Sequence, residues 1–218
     1  MSERSALILG ASGLIGGRLL AMLLADERYT RIVSPGRRKL EIEHHKLTQI
    51  NVTLDQLQTR ATDFAVDDIY CTLGTTHKKA GSKEAFEQVD YHAPLLAAKL
   101  GQEHGAKQFL VVTSMGADAK ATLSNYLRAK GRLEEELQKL SGYHALHIFR
   151  PSLLLGSRGE ARMGEDLGKG LAGVIGWLVP AKYKAIEADQ VARAMLLTAH
   201  RADSGQHVYE NDALLTMR

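Results

Sequence analysis

The chain lacks the residues that would tie it together covalently or anchor it in a bilayer. Its 218 residues include one cysteine, Cys71. A single thiol excludes an intrachain disulfide, and zinc-type cysteine pairs are absent too. A reducing, cytoplasmic location fits that content. The longest apolar run, Leu171 to Val179, has nine residues, whereas a bilayer span needs about twenty. The N-terminal Met-Ser-Glu-Arg carries no apolar segment separate from the strand that follows, so no signal peptide is expected. A soluble protein with no membrane partner follows. Charge of one sign is scarce as well: 28 Lys and Arg against 25 Asp and Glu leave a formal charge of only +3. That balance gives no footprint for nucleic acid, Arg37-Arg38-Lys39 being a local exception. Neither an HExxH pattern nor any comparable grouping of His44, His45, His77 and His92 appears, so no metal site is expected.

What remains is ordinary globular composition, with 44% apolar and 24% charged residues, and it argues against extensive disorder. A single core extends to about 250 residues, so residues 1–218 are read as one domain, with a core to about 150 and a C-terminal elaboration over 151–218. Repeats, low-complexity tracts and linkers are missing. Apolar segments at 6–9, 31–34, 47–52, 68–73, 108–113 and 144–149 predict buried strands. Helical periodicity falls between them. Leu14, Leu19, Leu20, Leu23 and Leu24 mark a first helix, and a second covers about 82–102 with Pro94 ending or kinking it. A third covers about 125–140, with Leu127, Leu133, Leu137 and Leu140 on one side and Glu134-Glu135-Glu136 as a solvated face. A last helix over 186–201 and a strand over 207–210 complete the pattern. Strands alternating with such helices predict an α/β fold, a Rossmann-type doubly wound parallel sheet that binds ligands at its strand C-termini. Seven glycines between positions 156 and 176 leave two readings open, a lid or a packing helix.

The N-terminal stretch is the most informative. Strand Ala6-Leu7-Ile8-Leu9 runs into Gly10-Ala11-Ser12-Gly13-Leu14-Ile15-Gly16, and a helix follows. Glycine has no Cβ and adopts positive φ, so amides at such a helix start can approach a pyrophosphate. The Gly-x-x-Gly-x-x-Gly spacing is a variant of the ordinary dehydrogenase fingerprint. Sites selective for NAD place a carboxylate after the second strand, on the ribose 2′-hydroxyl. This chain has Ser34-Pro35-Gly36-Arg37-Arg38 there, without an acid. Arginine offers a planar fork suited to phosphate. NADPH is therefore expected over NADH, with Arg37 the main contact and Arg38 the second.

A second constellation lies downstream. Tyr126 and Lys130 are four apart, on one helical face. An ammonium one turn from a phenol favours phenolate, so Tyr126 could exchange a proton with a carbonyl or alcohol oxygen while a nicotinamide passes hydride. Upstream, Thr113 and Ser114 end the fifth strand, thirteen and twelve residues before the tyrosine. Either hydroxyl can hold a substrate oxygen, and spacing does not choose between them. Cys71 falls within a strand and is expected to be buried and inert.

These motifs, in this order, resemble the short-chain dehydrogenase/reductase superfamily in its extended or atypical branch. Further blocks sharpen the likeness: Gly36-Arg37-Arg38-Lys39, Cys71-Thr-Leu-Gly74-Thr75-Thr76, Lys79-Ala-Gly81, Val89-Asp90, Ser114-Met-Gly116-Ala-Asp118, Lys130-Gly131 and Phe149-Arg150-Pro151. Together they are similar to the TIP30 (CC3) oxidoreductase family, over nearly the whole chain. The resemblance implies an NADPH-binding Rossmann fold and an NADPH-dependent oxidoreductase acting on a small-molecule carbonyl. Gly10, Ser12, Gly13, Leu14, Ile15 and Gly16 would hold the pyrophosphate. Leu73, Gly74 and Thr75 would lie along the cofactor, with Arg150 and Pro151 near its nicotinamide end and Thr113 a further cofactor contact. Tyr126 would be the proton donor or acceptor, Lys130 would hold the nicotinamide ribose, and Ser114 is the preferred substrate-orienting hydroxyl. Asp90 stands where extended enzymes commonly have Asn, which leaves the usual water-relay role without its residue. The family also leaves open an NADPH-sensing regulatory role with little turnover, and either a monomer or a homodimer.

Overall fold

The computed structural model describes residues 3–155, 180–201 and 203–217. The glycine-rich stretch over 156–176 and its two readings lie outside them. In chain order the main elements are β1 (Arg4–Leu9), α1 (Leu14–Ala25), β2 (Tyr29–Gly36), β3 (Leu47–Asn51), a 3-10 segment (Leu54–Phe64) and β4 (Asp68–Cys71). Next come α2 (His77–Ala80), α3 (Lys83–Glu87), α4 (Ala93–Glu103), β5 (Gln108–Val112), α5 (Asn125–Gln138) and β6 (Ala145–Arg150). The described chain closes with β7 (Leu154–Leu155), β8 (Ile186–Glu187), α6 (Ala188–Arg201), β9 (Gly205–Glu210) and α7 (Asn211–Thr216).

Seven strands form one parallel sheet in the order β3-β2-β1-β4-β5-β6-β9. β1 is central, with Leu7 registered against Val33 of β2 and Ile69 of β4. Alternate side chains of a strand leave opposite faces of the sheet, and a parallel sheet is covered on both. Accordingly Ala6 and Ile8 enter one core with Leu19 and Leu23 of α1, Val191 and Met195 of α6 and Leu214 of α7. Leu7 and Leu9 enter the other, with Phe64, Ala97 and Leu100 of α4, and Leu133 and Leu137 of α5. This is the doubly wound single domain that the alternation predicts. The chain builds outward from β1 to β3, then returns to β1's other side at β4. The crevice of such a sheet opens at that reversal, beyond the strand C-termini.

Two local departures have clear causes. The helix expected over 186–201 starts at Ala188, because Ile186 and Glu187 pair with Leu154 and Leu155 as a two-strand sheet. The helix around Pro94 is neither ended nor simply bent. It passes through a π turn, Gln88–His92, in which the Ala93 amide reaches the Gln88 carbonyl. Pro94 has no N–H to offer one turn back, and the wider turn makes room for its ring. Asp90, in that turn, is fully buried.

A buried polar network crosses the other end of the sheet. Asp68 accepts from Arg4, from the Tyr29 hydroxyl at 2.7 Å and from Gln108 at 3.0 Å, while His147 Nε2 meets Gln108 at 3.2 Å. Burial, only partly offset by Arg4, pushes the Asp68 carboxyl up to about 6. Burial holds the His147 imidazole down to about 4.

Candidate active site

The glycine turn is built by close approach. Gly10 has φ 86°, and a Cβ there would sit 2.7 Å from Thr72 Oγ1 and 2.9 Å from the Thr72 carbonyl carbon. The Gly13 amide donates to the Gly10 carbonyl at 2.7 Å. Gly13 then caps α1 in extended backbone, with no side-chain cap bond and no acid in the first turn. The first helical amides thus keep their positive end of the helix dipole, with no carboxylate to repel an anion. Gly16 serves differently from its expected contact role: it does not line the cleft, and a Cβ there would come within 2.1 Å of the Gly10 carbonyl oxygen. Its bareness lets α1 close onto the turn.

Beyond the strand ends lies a cleft of about 500 Å³. It is lined by Gly10, Ser12, Gly13, Leu14, Ile15, Arg37 and Arg38, then by Leu73, Gly74 and Thr75, and finally by Thr113, Tyr126 and Lys130. It therefore crosses the carboxyl ends of β2, β1, β4 and β5. Three interstrand steps of about 4.8 Å put roughly 14 Å between its two sides, the scale of an extended dinucleotide. The arginines stand exposed at the β2 side. Tyr126 and Lys130 stand at the β5 side. A shallower groove outside α4, lined by Asp55, His92, Leu95 and Lys99, has no such equipment.

α5 starts at Ser124, whose hydroxyl accepts the Leu127 amide at 3.2 Å. The Tyr126 ring lies 6.2 Å from the buried Phe86, on which His77 stacks at 4.0 Å. One turn along, Lys130 is 1% exposed. Its Nζ lies 2.8 Å from Asp90 Oδ1, and Asp90 Oδ2 accepts the Thr75 amide at 2.9 Å. Burial pulls the Lys130 ammonium down, but the Asp90 carboxylate, with smaller help from Tyr126 and Cys71, offsets it and holds Lys130 above the ordinary lysine range. Cys71, behind this pair, is buried, and burial raises its thiol to about 11.

Four expected positions come out differently. Thr113 lines the cleft, and the preferred Ser114 does not. The Thr113 hydroxyl donates to Glu134 at 2.6 Å, whereas that of Ser114 donates to the neighbouring Met115 carbonyl at 3.3 Å. Glu134 is no solvated residue but 3% exposed. Residues 126, 130 and 134 are successive four-residue steps, so the face that carries Tyr126 and Lys130 inward carries Glu134 too. Arg150 does not line the cleft either. Glu134 takes its Nε and Nη2, and Glu210 lies 2.8 Å from its Nη1, so the guanidinium is spent on two carboxylates. Pro151, also off the cleft, accepts the Met115 amide at 3.0 Å and so holds the loop leading to α5.

The sequence reading missed Leu40, Leu54, Lys79, Val89, Val112 and Leu154, all on the cleft wall. Leu40 is placed by Gln49, which accepts its amide at 2.7 Å and donates to the Ile42 carbonyl at 2.8 Å. No local pattern announces that tie. Among the described residues no group of three or more His, Cys, Asp or Glu could hold a metal ion.

Comparison with known proteins places this geometry. The HIM1 family model matches residues 32–175. The chain belongs to the HIM1 family. Protein HTATIP2 of Rattus norvegicus is 36% identical over 99% of this chain and 89% of its own length. The HIM1-family chain is thus an atypical short-chain dehydrogenase/reductase of the TIP30 kind, as its motifs implied. Protein FMP52, mitochondrial, of Candida albicans is 30% identical over 93% of this chain and 90% of its own length. Its counterpart in Emericella nidulans is 31% identical over 91% and 88%. Among solved structures, MoeE5 in complex with UDP-glucuronic acid and NAD aligns with a TM-score of 0.74 at 18% identity, covering 95% of this chain and 76% of that one. The Bordetella bronchiseptica enzyme WbmH in complex with NAD+ aligns at 0.71 and 16% identity, over 95% and 75%. These likenesses show the Rossmann fold. The relatives also correct the cytoplasmic expectation. Close to full-length fungal relatives are named mitochondrial, so a lone cysteine and an unremarkable N-terminus do not assign a compartment.

Proposed function

We propose that this HIM1-family chain is an NADPH-dependent oxidoreductase that interconverts a small carbonyl compound and its alcohol. The observation carrying this reading is the single cleft that joins an uncapped helix N-terminus and two arginines to a tyrosine-lysine pair. The glycine turn fits a pyrophosphate, because a Cβ at Gly10 or Gly16 would collide with the backbone that shapes it. Arg37 and Arg38 would hold the 2′-phosphate that distinguishes NADPH from NADH. Bound there, the nicotinamide supplies hydride to the carbonyl carbon. Tyr126 gives its hydroxyl proton to the carbonyl oxygen, or takes it back in the reverse direction. Lys130 holds a ribose hydroxyl and places positive charge beside the phenol. Thr113 lines the substrate side of the cleft with its own proton engaged by Glu134, so it shapes the pocket and leaves the proton of the reacting oxygen to Tyr126. No nucleic acid or membrane partner enters this reading.

The test is NADPH oxidation against a panel of aldehydes and ketones, for wild type and Tyr126→Phe, with NADPH binding measured in both. Turnover in wild type, a loss of about 100-fold or more in the variant and unchanged NADPH binding are expected. Equal rates in the two proteins would refute the role of Tyr126.

A further inference from the structure

Lys130 is held in a way its position in the motif does not require. Buried ion pairs are costly to assemble, and hydrophobic replacements of them are often neutral or stabilising. This one is nonetheless closely built: Lys130 and Asp90 side chains are 2% and 0% exposed and 2.8 Å apart, Asp90 Oδ1 faces no hydrogen-bond donor besides this ion-pair contact, and the second Asp90 oxygen accepts the Thr75 amide. Asp90 reaches that place from a π turn, a rare local structure that recurs at functional sites. Gly74, on the cleft wall between the two groups, brings its own backbone close: a Cβ there would lie 3.7 Å from Asp90 Oδ1 and 4.0 Å from Lys130 Nζ.

We propose that Asp90 is a positioning residue that fixes Lys130 as a charged ammonium at the cofactor wall, while its Thr75 bond ties the β4 loop to the same point. The inference rests on the cofactor reading above and deepens it. The lysine has three N–H groups; Nζ donates to the Leu73 carbonyl at 3.5 Å and sits 2.8 Å from the Asp90 carboxylate, which leaves donor capacity for a ribose hydroxyl. The titratable groups facing Lys130 are Asp90 from the π turn, Tyr126 from α5 and Cys71 from β4. Asp90 is the only carboxylate among them. Without it, burial, which favours the neutral amine, loses its main counterweight.

Asp90→Asn keeps the size of the side chain and an oxygen for the Thr75 amide but removes the charge. Thermal unfolding of the cofactor-free protein from pH 7 to 10 reads the consequence. In wild type the ion pair's contribution is fully present below the unfolded lysine value, about 10.5, and is lost only above it. In Asp90→Asn the sign reverses: the melting temperature climbs toward pH 10, as the fold prefers an uncharged lysine. Asp90→Asn/Lys130→Met abolishes that climb. NADPH titration adds the second readout. Affinity in Asp90→Asn falls with rising pH by up to about tenfold per unit, the limit for one proton, while wild type shows no such fall below pH 10. Equal destabilisation by Asp90→Asn at pH 7 and pH 10, or a climb that persists in the double variant, would overturn the proposal. A wild type that binds no NADPH, with the stability slopes as expected, would instead sink the cofactor reading and leave the hold of Asp90 on Lys130 standing.

Discussion

Gly16 and Gly17 are neighbours in the first turn of α1, yet alanine should do opposite things at the two positions. At Gly17 a Cβ meets only the Ala11 carbonyl oxygen, at 3.5 Å, and the position is exposed and off the cleft. Replacing glycine in a helix by alanine gains about 0.8–1 kcal/mol. For a chain of this size that corresponds to a rise of roughly 2–4 °C in melting temperature. At Gly16 the same Cβ would lie 2.1 Å from the Gly10 carbonyl oxygen and 2.6 Å from Thr72 Oγ1, where ordinary contact begins at 3.4 Å. The first obstacle is backbone, and it belongs to the turn that cradles the phosphate. Helix and turn must part by over an ångström. Strain of that kind costs about 1–3 kcal/mol, which cancels the propensity gain or exceeds it. The geometric loss is larger in effect, because the Gly13 to Gly10 hydrogen bond at 2.7 Å is part of what moves. Thermal unfolding and NADPH titration of the two variants side by side are the assay. Gly17→Ala should melt higher and bind as wild type does, while Gly16→Ala should melt no higher and lose NADPH affinity at least about tenfold, or 1.4 kcal/mol. Full affinity in Gly16→Ala would refute the claim that close packing of helix on turn shapes the site.

The other predictions concern the polar groups. The Asp68 carboxyl is raised in the fold, to about 6, so it burdens the native state above that value, and the burden lifts as pH falls from about 6 to 4. His147, lowered to about 4, behaves oppositely, its protonation destabilising the fold as pH falls through the same window. Melting curves between pH 4 and 6.5 should therefore show the two differences, wild type minus Asp68→Asn and wild type minus His147→Gln, sloping in opposite directions; parallel slopes would contradict the burial of one group. Thr113→Val removes a donor to the buried Glu134 and should cost about 1–3 kcal/mol of stability. Ser114→Ala, whose hydroxyl meets only the adjacent carbonyl, should cost less than about 0.5 kcal/mol, as denaturant unfolding of the pair will measure.

The inner strands were legible because β1, β4, β5 and β6 are short buried apolar runs, and the alternation of strand and helix leaves few topologies for the more polar outer strands β3 and β9. The glycine turn and Tyr126-Lys130 were legible for a related reason: their chemistry is carried by residues close together in sequence. Glu134 could have been read as well, since it continues the 126, 130 step, but the Glu134-Glu135-Glu136 run masks one inward carboxylate behind its solvated neighbours. Arg150 and Glu210 meet across sixty residues of chain through the β6–β9 pairing, and no local spacing announces such a contact. The same holds for Gln49 and Leu40. Asp90 was visible as a departure from a related pattern, but its bond to Lys130 depends on a π turn that only the packing around Pro94 reveals.

The proposed role of Arg37 and Arg38 is to select a dinucleotide bearing a 2′-phosphate. Calorimetric titration of the purified chain with NADPH and NADH, for wild type and Arg37→Ala, tests it most directly. One-to-one binding of NADPH at least about tenfold tighter than NADH, a margin of about 1.4 kcal/mol or more, is expected, with its collapse in Arg37→Ala through weaker NADPH binding alone. Equal affinity for the two nucleotides in wild type, or an Arg37→Ala protein that still prefers NADPH, would contradict it.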